Sequence, residues 1–95
     1  MLTQENKYSN TLLPSTVATQ LVANLKQLRK KEKYSQKELA ERSGVSLGSI
    51  KRFERSGKIS LNSLLSIAHV LNRLGDFKEI FKYDEQLDIV KRKFD

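Results

Sequence analysis

The side chains best suited to chemistry lie in one short stretch, residues 46–56, which combines cations with hydroxyl groups. Arg52 carries a planar fork of N–H donors that matches a pair of acceptor atoms, and Lys51 beside it carries a compact positive charge. Ser46 and Ser49 add hydroxyl groups, which both donate and accept hydrogen bonds. The chemistry of this stretch is therefore recognition of an anionic or acceptor-rich partner.

The rest of the composition argues against bond-making chemistry. The chain has no cysteine and one histidine, so it lacks the residues for a Cys/His or Ser/His/Asp catalytic set. That histidine, His69, lies beside an apolar stripe, where a surface side chain is expected, and one histidine cannot build a metal site. No glycine-rich phosphate loop occurs in the sequence. We expect a protein that is not an enzyme and that binds no cofactor or metal.

The charge of the chain indicates the kind of partner. Eighteen Lys and Arg against eleven Asp and Glu give a net charge of +7. The excess of positive charge lies between residues 17 and 75. A basic region of this kind can bind a nucleic acid, an acidic protein or a membrane surface. The membrane alternative is disfavoured, because the basic first helix lacks the Trp and Phe of an inserting face. No apolar run reaches the roughly 18 residues of a membrane span, and no signal peptide is evident.

Two short helical patterns position the candidate residues, and the first begins after Ser35. Ser35 is a good N-cap, and Glu38 three residues later completes a capping box. Leu39 and Ala40 are the inward positions, and the small Ala40 lets a second helix cross close by.

The second pattern follows a tight break at Gly44. Glycine tolerates the left-handed backbone with which helices commonly end, and Ser46 then caps the next helix. In that helix Ile50 and Phe53 are three residues apart, so they share one face. Two helices this short, joined by about three residues, predict a helix-turn-helix.

This stretch resembles the helix-turn-helix of the phage repressor, Cro and Xre-type regulators. The matching positions are Gln36, Leu39, Ala40, Gly44, Val45, Ser46, Ile50, Phe53 and Glu54. The similarity extends from about Val17 to Phe81. It implies a lambda repressor-like domain, an all-α compact bundle of five helices that binds double-stranded DNA as a dimer. It also implies that Gln36 contacts a phosphate and that Arg29 pairs with Glu54 in a structural role.

Apolar periodicity outside the motif predicts the other helices. A first helix runs from Val17 to Lys31 with Ser15 or Thr16 as its cap, and its basic end either complements the helix dipole or contacts phosphate. A fourth helix from Leu61 to Arg73 follows the cap Ser60, with Leu61, Leu64, Leu65, Ala68 and Leu71 inward. A short fifth helix after Gly75-Asp76 has Phe77, Ile80 and Phe81 inward.

The predicted domain covers residues 16–82. Residues 1–15 form an N-terminal tail, and residues 83–95 form a tail or a short helix, capped by Asp84. In that last segment Leu87, Val90 and Phe94 recur at helical spacing. It packs on the domain, on a second copy or on a different protein, or it frays.

The outward face of the second motif helix is the expected DNA-reading surface. With Ile50 and Phe53 inward, a turn of about 100° per residue directs Gly48, Arg52 and Arg55 outward. The major groove admits such a helix, whose first residues meet base edges. The predicted base-reading residues are Ser46, Leu47, Gly48, Ser49, Lys51 and Arg52. The predicted phosphate contacts are Gln36, Lys37, Arg55, Ser56 and Lys58.

The sequence departs from the family pattern at Leu47 and Gly48, where many relatives have polar side chains. Few side chains are therefore expected to contact bases directly, and part of the sequence specificity is expected from DNA shape.

Two related functions are open at this point. The first is a cytoplasmic, sequence-specific transcriptional regulator, a repressor acting as a dimer through late apolar residues such as Phe77 and Ile80. The alternative is the antitoxin of a toxin–antitoxin pair, since such antitoxins resemble the same family, bind a toxin protein and repress their own operon.

Overall fold

A computed structural model describes residues 12–86 of the chain. Within that range four α-helices and one short 3-10 helix follow one another, without a strand. The helices are α1 Pro14–Lys31, α2 Gln36–Ser43, α3 Leu47–Ser56, α4 Leu61–Val70 and the 3-10 helix Leu74–Asp76. The predicted all-α class is confirmed, but residues 12–86 contain four α-helices where the sequence predicts five.

The first helix begins earlier than the sequence analysis expected. Its first residue is Pro14, and the N-cap residue Leu13 makes no side-chain capping bond. Proline suits this position because its φ is already helical and its missing N–H would have had no partner there. Ser15 and Thr16 therefore lie inside α1 and do not cap it.

The chain after α4 does not form the predicted fifth helix. α4 ends at Val70, the left-handed Asn72 (φ 60°) turns the chain, and the three-residue 3-10 helix follows. Ile80 is 52% exposed and Phe81 is fully exposed, with a positive φ of 65° at Phe81. Their predicted inward positions are wrong, because a left-handed residue interrupts the helical periodicity that would have carried them inward. Phe77 is half-buried.

The core lies where three helices meet. Leu39 of α2, Ile50 of α3 and Ile67 of α4 are its most deeply buried large side chains. α2 packs on both α3 and α4, and α1 packs on α3. The remaining buried apolar residues are Leu25, Val45, Phe53, Ala68 and Leu71.

The inward stripe of α4 differs from the predicted one at two positions. Ile67, which the prediction omitted, is 1% exposed, whereas the predicted inward Leu61 is 65% exposed. Ile67 shares a helical face with Leu64 and Leu71, at spacings of three and four. Leu61 is the first residue of α4, one turn before that contact begins.

Among residues 12–86 no helix combines the length and the apolar character needed to cross a bilayer.

Candidate nucleic-acid interface

The turn between α2 and α3 is fixed by side-chain and backbone caps. Ser35 Oγ accepts the N–H of Glu38 at 2.9 Å, which caps the start of α2. Gly44 adopts a left-handed φ of 76°, and its N–H donates to the carbonyl of Ala40 at 2.9 Å. Val45, the next residue, is buried in the core. The end of α2 and the start of α3 are thus held in one arrangement.

The Glu38 side chain does not complete the predicted capping box. Its carboxylate instead accepts hydrogen bonds from Arg42 Nε and Nη2 at 3.2 and 3.1 Å. Arg42 lies four residues later on the same helix face, so it offers a charged donor within easy reach.

Helix α3, which carries the predicted base-reading residues, is anchored by its inner face and by both ends. Ile50 and Phe53 are 0% and 3% exposed. Ser46 Oγ accepts the N–H of Ser49 at 3.1 Å and donates to its hydroxyl oxygen at 2.8 Å. At the other end Gly57 has a left-handed φ of 79°. A Cβ at Gly57 would lie 3.3 Å from the Cβ of Ala18, so α1 passes close to this end.

The outer face of α3 is open to solvent across most of the predicted base-reading residues. Gly48, Lys51 and Arg52 are exposed, and so is Ser46. Around Gly48 a Cβ would meet no atom within 4 Å. The two other predicted readers, Leu47 and Ser49, are half-buried.

Five exposed cations on α2, on α3 and in the loop after α3 have no carboxylate partner among residues 12–86. They are Lys37, Lys51, Arg52, Arg55 and Lys58. The ion pairs that this part of the chain forms engage other cations, those of Arg29, Arg42, Arg73 and Lys82. The positive charge at α3 and its neighbours is therefore available to an anionic partner.

A shallow cleft of about 430 Å³ lies between α3 and the start of α4. Its lining combines two cations with three hydroxyl groups and one apolar side chain: Ser49, Arg52, Lys58, Ile59, Ser60 and Ser63. Ser60 Oγ accepts the N–H of Ser63 at 3.1 Å. Ser60 is predicted from the sequence only as a cap, and Ser63 is not predicted as a site residue. The available signal was the serine cap Ser60 two residues after Lys58.

A buried ion pair joins α1 to the end of α3. Arg29 Nε donates to Glu54 Oε2 at 2.8 Å, and Arg29 Nη2 donates to Glu54 Oε1 at 3.0 Å. Arg29 is 9% exposed and Glu54 7%. The third guanidinium nitrogen, Nη1, donates to the carbonyl of Tyr34 at 2.9 Å in the loop before α2. The pair that the resemblance implied is present in the structure.

Gln36 adds a fourth element to this network. Its Nε2 donates to Glu54 Oε1 at 2.9 Å, and the side chain is half-buried. One amide hydrogen of the predicted phosphate contact thus points into the protein. The phosphate contact stays a prediction, for which the second amide hydrogen and the backbone N–H at the start of α2 are the donors.

A model of the family described as Helix-turn-helix (HTH_3) matches residues 25–76, more than half of the chain. The chain belongs to the helix-turn-helix family. As a member it is a DNA-binding transcription regulator. Comparisons with curated proteins and with solved structures found no match.

The family match includes every structural part of the helix-turn-helix site. It begins at Leu25 in the middle of α1, so it takes in Arg29, and it continues through the 3-10 helix. The part of α1 before Leu25 lies outside the match. No cluster of potential metal-binding side chains occurs among the described residues of this helix-turn-helix protein.

Proposed function

We propose that this protein binds a specific double-stranded DNA sequence through the outer face of α3 and represses transcription as a homodimer. The observation that carries the proposal is the orientation of α3. Its inner face is anchored by the buried Ile50 and Phe53, and its outer face presents Lys51 and Arg52 to solvent. An exposed cationic helix of this size fits the major groove of B-DNA.

Base recognition centres on Arg52 in this proposal. A guanidinium reads guanine through O6 and N7 with two parallel hydrogen bonds. Gly48 lies one turn earlier and has no side chain, so the helix backbone comes close to the floor of the groove there. Leu47 offers only an apolar contact, which suits a thymine methyl group. Sequence-dependent DNA shape supplies further discrimination.

Phosphate contacts flank the reading helix and set its position on the duplex. The cleft beside α3 brings Lys58 together with the hydroxyls of Ser60 and Ser63, a donor set suited to a phosphate. On the other side, Lys37 and the backbone N–H groups at the start of α2 serve the same purpose. These contacts strengthen binding to all sequences alike.

We infer that the protein dimerises, because the DNA-reading surface of one copy is small. A single short helix covers few base pairs, and family members solve this with two half-sites about 34 Å apart. The apolar side chains of Ile80, Phe81 and Tyr83 are 52%, 100% and 67% exposed. Exposed apolar residues close together in the chain favour a protein partner, and we assign them to the second copy.

The same exposed residues favour the antitoxin alternative, in which a toxin protein covers them. Co-expression with the adjacent genes discriminates the two functions. A tightly bound second protein that blocks Phe81 establishes the antitoxin role, whereas a homodimer formed by the purified chain alone supports the repressor. In both functions we propose a binding protein without catalytic activity.

The decisive experiment selects bound sequences from random duplexes with the full chain. We expect an inverted repeat with half-site centres about 10 base pairs apart. A control selection uses the Lys51→Ala/Arg52→Ala variant, which should lose the preference at the base pairs that these side chains read. Enrichment of the same sequence to the same extent by this variant, or no enrichment by the wild-type chain, would contradict the proposed reading face.

A further inference from the structure

The hydroxyl of Ser56, the last residue of α3, connects the last turn of the helix to the chain that follows it. The hydroxyl donates to the carbonyl of Arg52 at 2.7 Å, and its oxygen accepts the N–H of Lys58 at 3.3 Å. The side chains of Arg52 and Lys58 line the same cleft between α3 and the start of α4. One exposed hydroxyl thus ties together the backbone of two cations of the candidate DNA interface.

The N–H of Lys58 depends on Ser56 because of the way in which α3 ends. Gly57 has a left-handed φ of 79°, and its N–H donates to the carbonyl of Phe53 at 2.8 Å. In this kind of helix ending the backbone supplies one hydrogen bond, so the N–H of the next residue needs another acceptor. Ser56 Oγ is that acceptor for Lys58. On the other side of Lys58, the half-buried Ile59 packs against the core.

The hydroxyl hydrogen of Ser56 is already used within the protein. A serine hydroxyl has one hydrogen to donate, and the carbonyl of Arg52 accepts it. The remaining lone pairs of the oxygen are acceptors, which do not bind the anionic oxygens of a phosphate. The direct phosphate contact that the sequence predicts for Ser56 therefore requires this hydrogen bond to break.

We infer that Ser56 is a positioning residue, which holds Lys58 so that its ammonium group reaches a DNA phosphate at the cleft. The inference rests on the proposed function, in which Lys58 contacts phosphate together with Ser60 and Ser63. A lysine carries its charge on a flexible four-carbon stem. The charge is therefore directed at one place only if the backbone that carries it is fixed.

The end of α2 has the same local arrangement and provides a matched control. Ser43 is the last residue of α2, Gly44 follows with a left-handed φ of 76°, and Ser43 Oγ accepts the N–H of Val45 at 3.2 Å. Val45 is buried in the core and carries no charge. Loss of the Ser43 hydroxyl thus removes the same kind of hydrogen bond without releasing a cation.

The salt dependence of DNA binding tests the inference with an uncharged substitution. Ser56→Ala removes no charge, yet it should make the slope of log affinity against log salt shallower by about 0.9 for each bound copy, as Lys58→Ala does, because one phosphate contact is lost. Ser56→Thr retains a hydroxyl and should keep the wild-type slope, and Ser43→Ala should also keep it. Fluorescence anisotropy with the selected duplex measures the slopes, and thermal unfolding shows that each variant is folded at the temperature of the titration.

The slope separates positioning from a direct contact or a purely structural role. A wild-type slope in Ser56→Ala would overturn the inference, even if the affinity falls, because a lost direct contact from a neutral hydroxyl removes no ion pair. The Ser56→Ala/Lys58→Ala double variant should bind no more weakly than Lys58→Ala alone, since the two residues act through one contact. A further loss of affinity in the double variant would also overturn the inference. A wild-type chain that binds no duplex would instead contradict the proposed function itself, and this inference with it.

Discussion

The carboxylate of Glu54 receives two parallel N–H donors from the guanidinium of Arg29, at 2.8 and 3.0 Å, across 25 residues of sequence. Because Arg29 also holds the carbonyl of Tyr34 and Glu54 also accepts from Gln36, this pair connects α1, the loop before α2, α2 and α3. It thereby ties the end of α3 to α1 and to the start of α2.

Breaking one side of this pair should strongly destabilise the domain. Arg29→Met leaves the buried Glu54 carboxylate without its charged partner, which costs about 3–5 kcal/mol in the free energy of unfolding. Urea denaturation measures the loss. The matched control is Arg42→Met, which removes the exposed pair with Glu38 and should cost less than about 1 kcal/mol.

The double variant Arg29→Met/Glu54→Leu tests the cause of that loss. With both charges replaced by apolar side chains, no buried charge is left unpaired, so the loss should be smaller than for Arg29→Met alone. An equal or larger loss in the free energy of unfolding would show that the destabilisation comes from lost packing and not from the unpaired carboxylate of Glu54.

Arg52 and Lys58 should affect DNA binding in different ways. Arg52→Ala should reduce discrimination between the selected site and a scrambled duplex by about 1–3 kcal/mol, because it removes a two-bond contact to a base. Lys58→Ala should weaken binding to both duplexes equally, because a phosphate contact carries no sequence information. Fluorescence anisotropy on the two duplexes measures both effects. Unchanged site preference and affinity in Arg52→Ala would show that α3 does not read bases through this side chain.

The salt dependence of binding should report the number of phosphate contacts. Lys37, Arg55 and Lys58 in each of two subunits give about six contacts, so log affinity should fall with a slope of about −5 against log salt. A monomer that makes half of these contacts would give a slope of about −3. A titration from low to moderate salt distinguishes these values, and a slope near zero would contradict phosphate-based binding altogether.

Gly48, the second residue of α3, and Gly57, the residue after its end, should respond in opposite directions to substitution by alanine. Gly48 has ordinary helical backbone and open space around its Cβ position, so Gly48→Ala should stabilise the protein by about 1 kcal/mol. Gly57→Ala should destabilise it, because φ is +79° and the new Cβ would lie 3.3 Å from Ala18. Thermal unfolding measures both. If Gly48→Ala weakens DNA binding while stabilising the fold, the backbone of α3 lies close to the bases.

Local signals predicted the helix-turn-helix well. Ser35, Ser46 and Ser60 each cap the helix that the sequence analysis assigned to them, because capping depends on residues within one turn of the cap. Gly44 likewise ends α2 in the predicted left-handed conformation. These features need no information from distant parts of the chain.

Features that depend on competition between similar residues were predicted less well. α4 contains many apolar side chains, and the pattern alone did not single out Ile67 over Leu61. The segment after Asn72 has apolar residues at helical spacing, yet residues 77–81 form turns and Phe81 has left-handed backbone, so the predicted helix with Phe77, Ile80 and Phe81 inward is not found there. Periodicity shows which residues could share a face, but it does not show where the backbone leaves the helix.

The sequence by itself determined the all-α class, the two motif helices, their caps and the direction in which Arg52 points, because each depends on spacing within a few turns. Only the tertiary structure decided that Gln36 turns an amide hydrogen towards Glu54, that Lys58 shares a cleft with Ser63, and that α1 and α4 line an apolar groove within residues 12–86. Those relationships join residues far apart in the chain, and they are set by how the helices pack against one another.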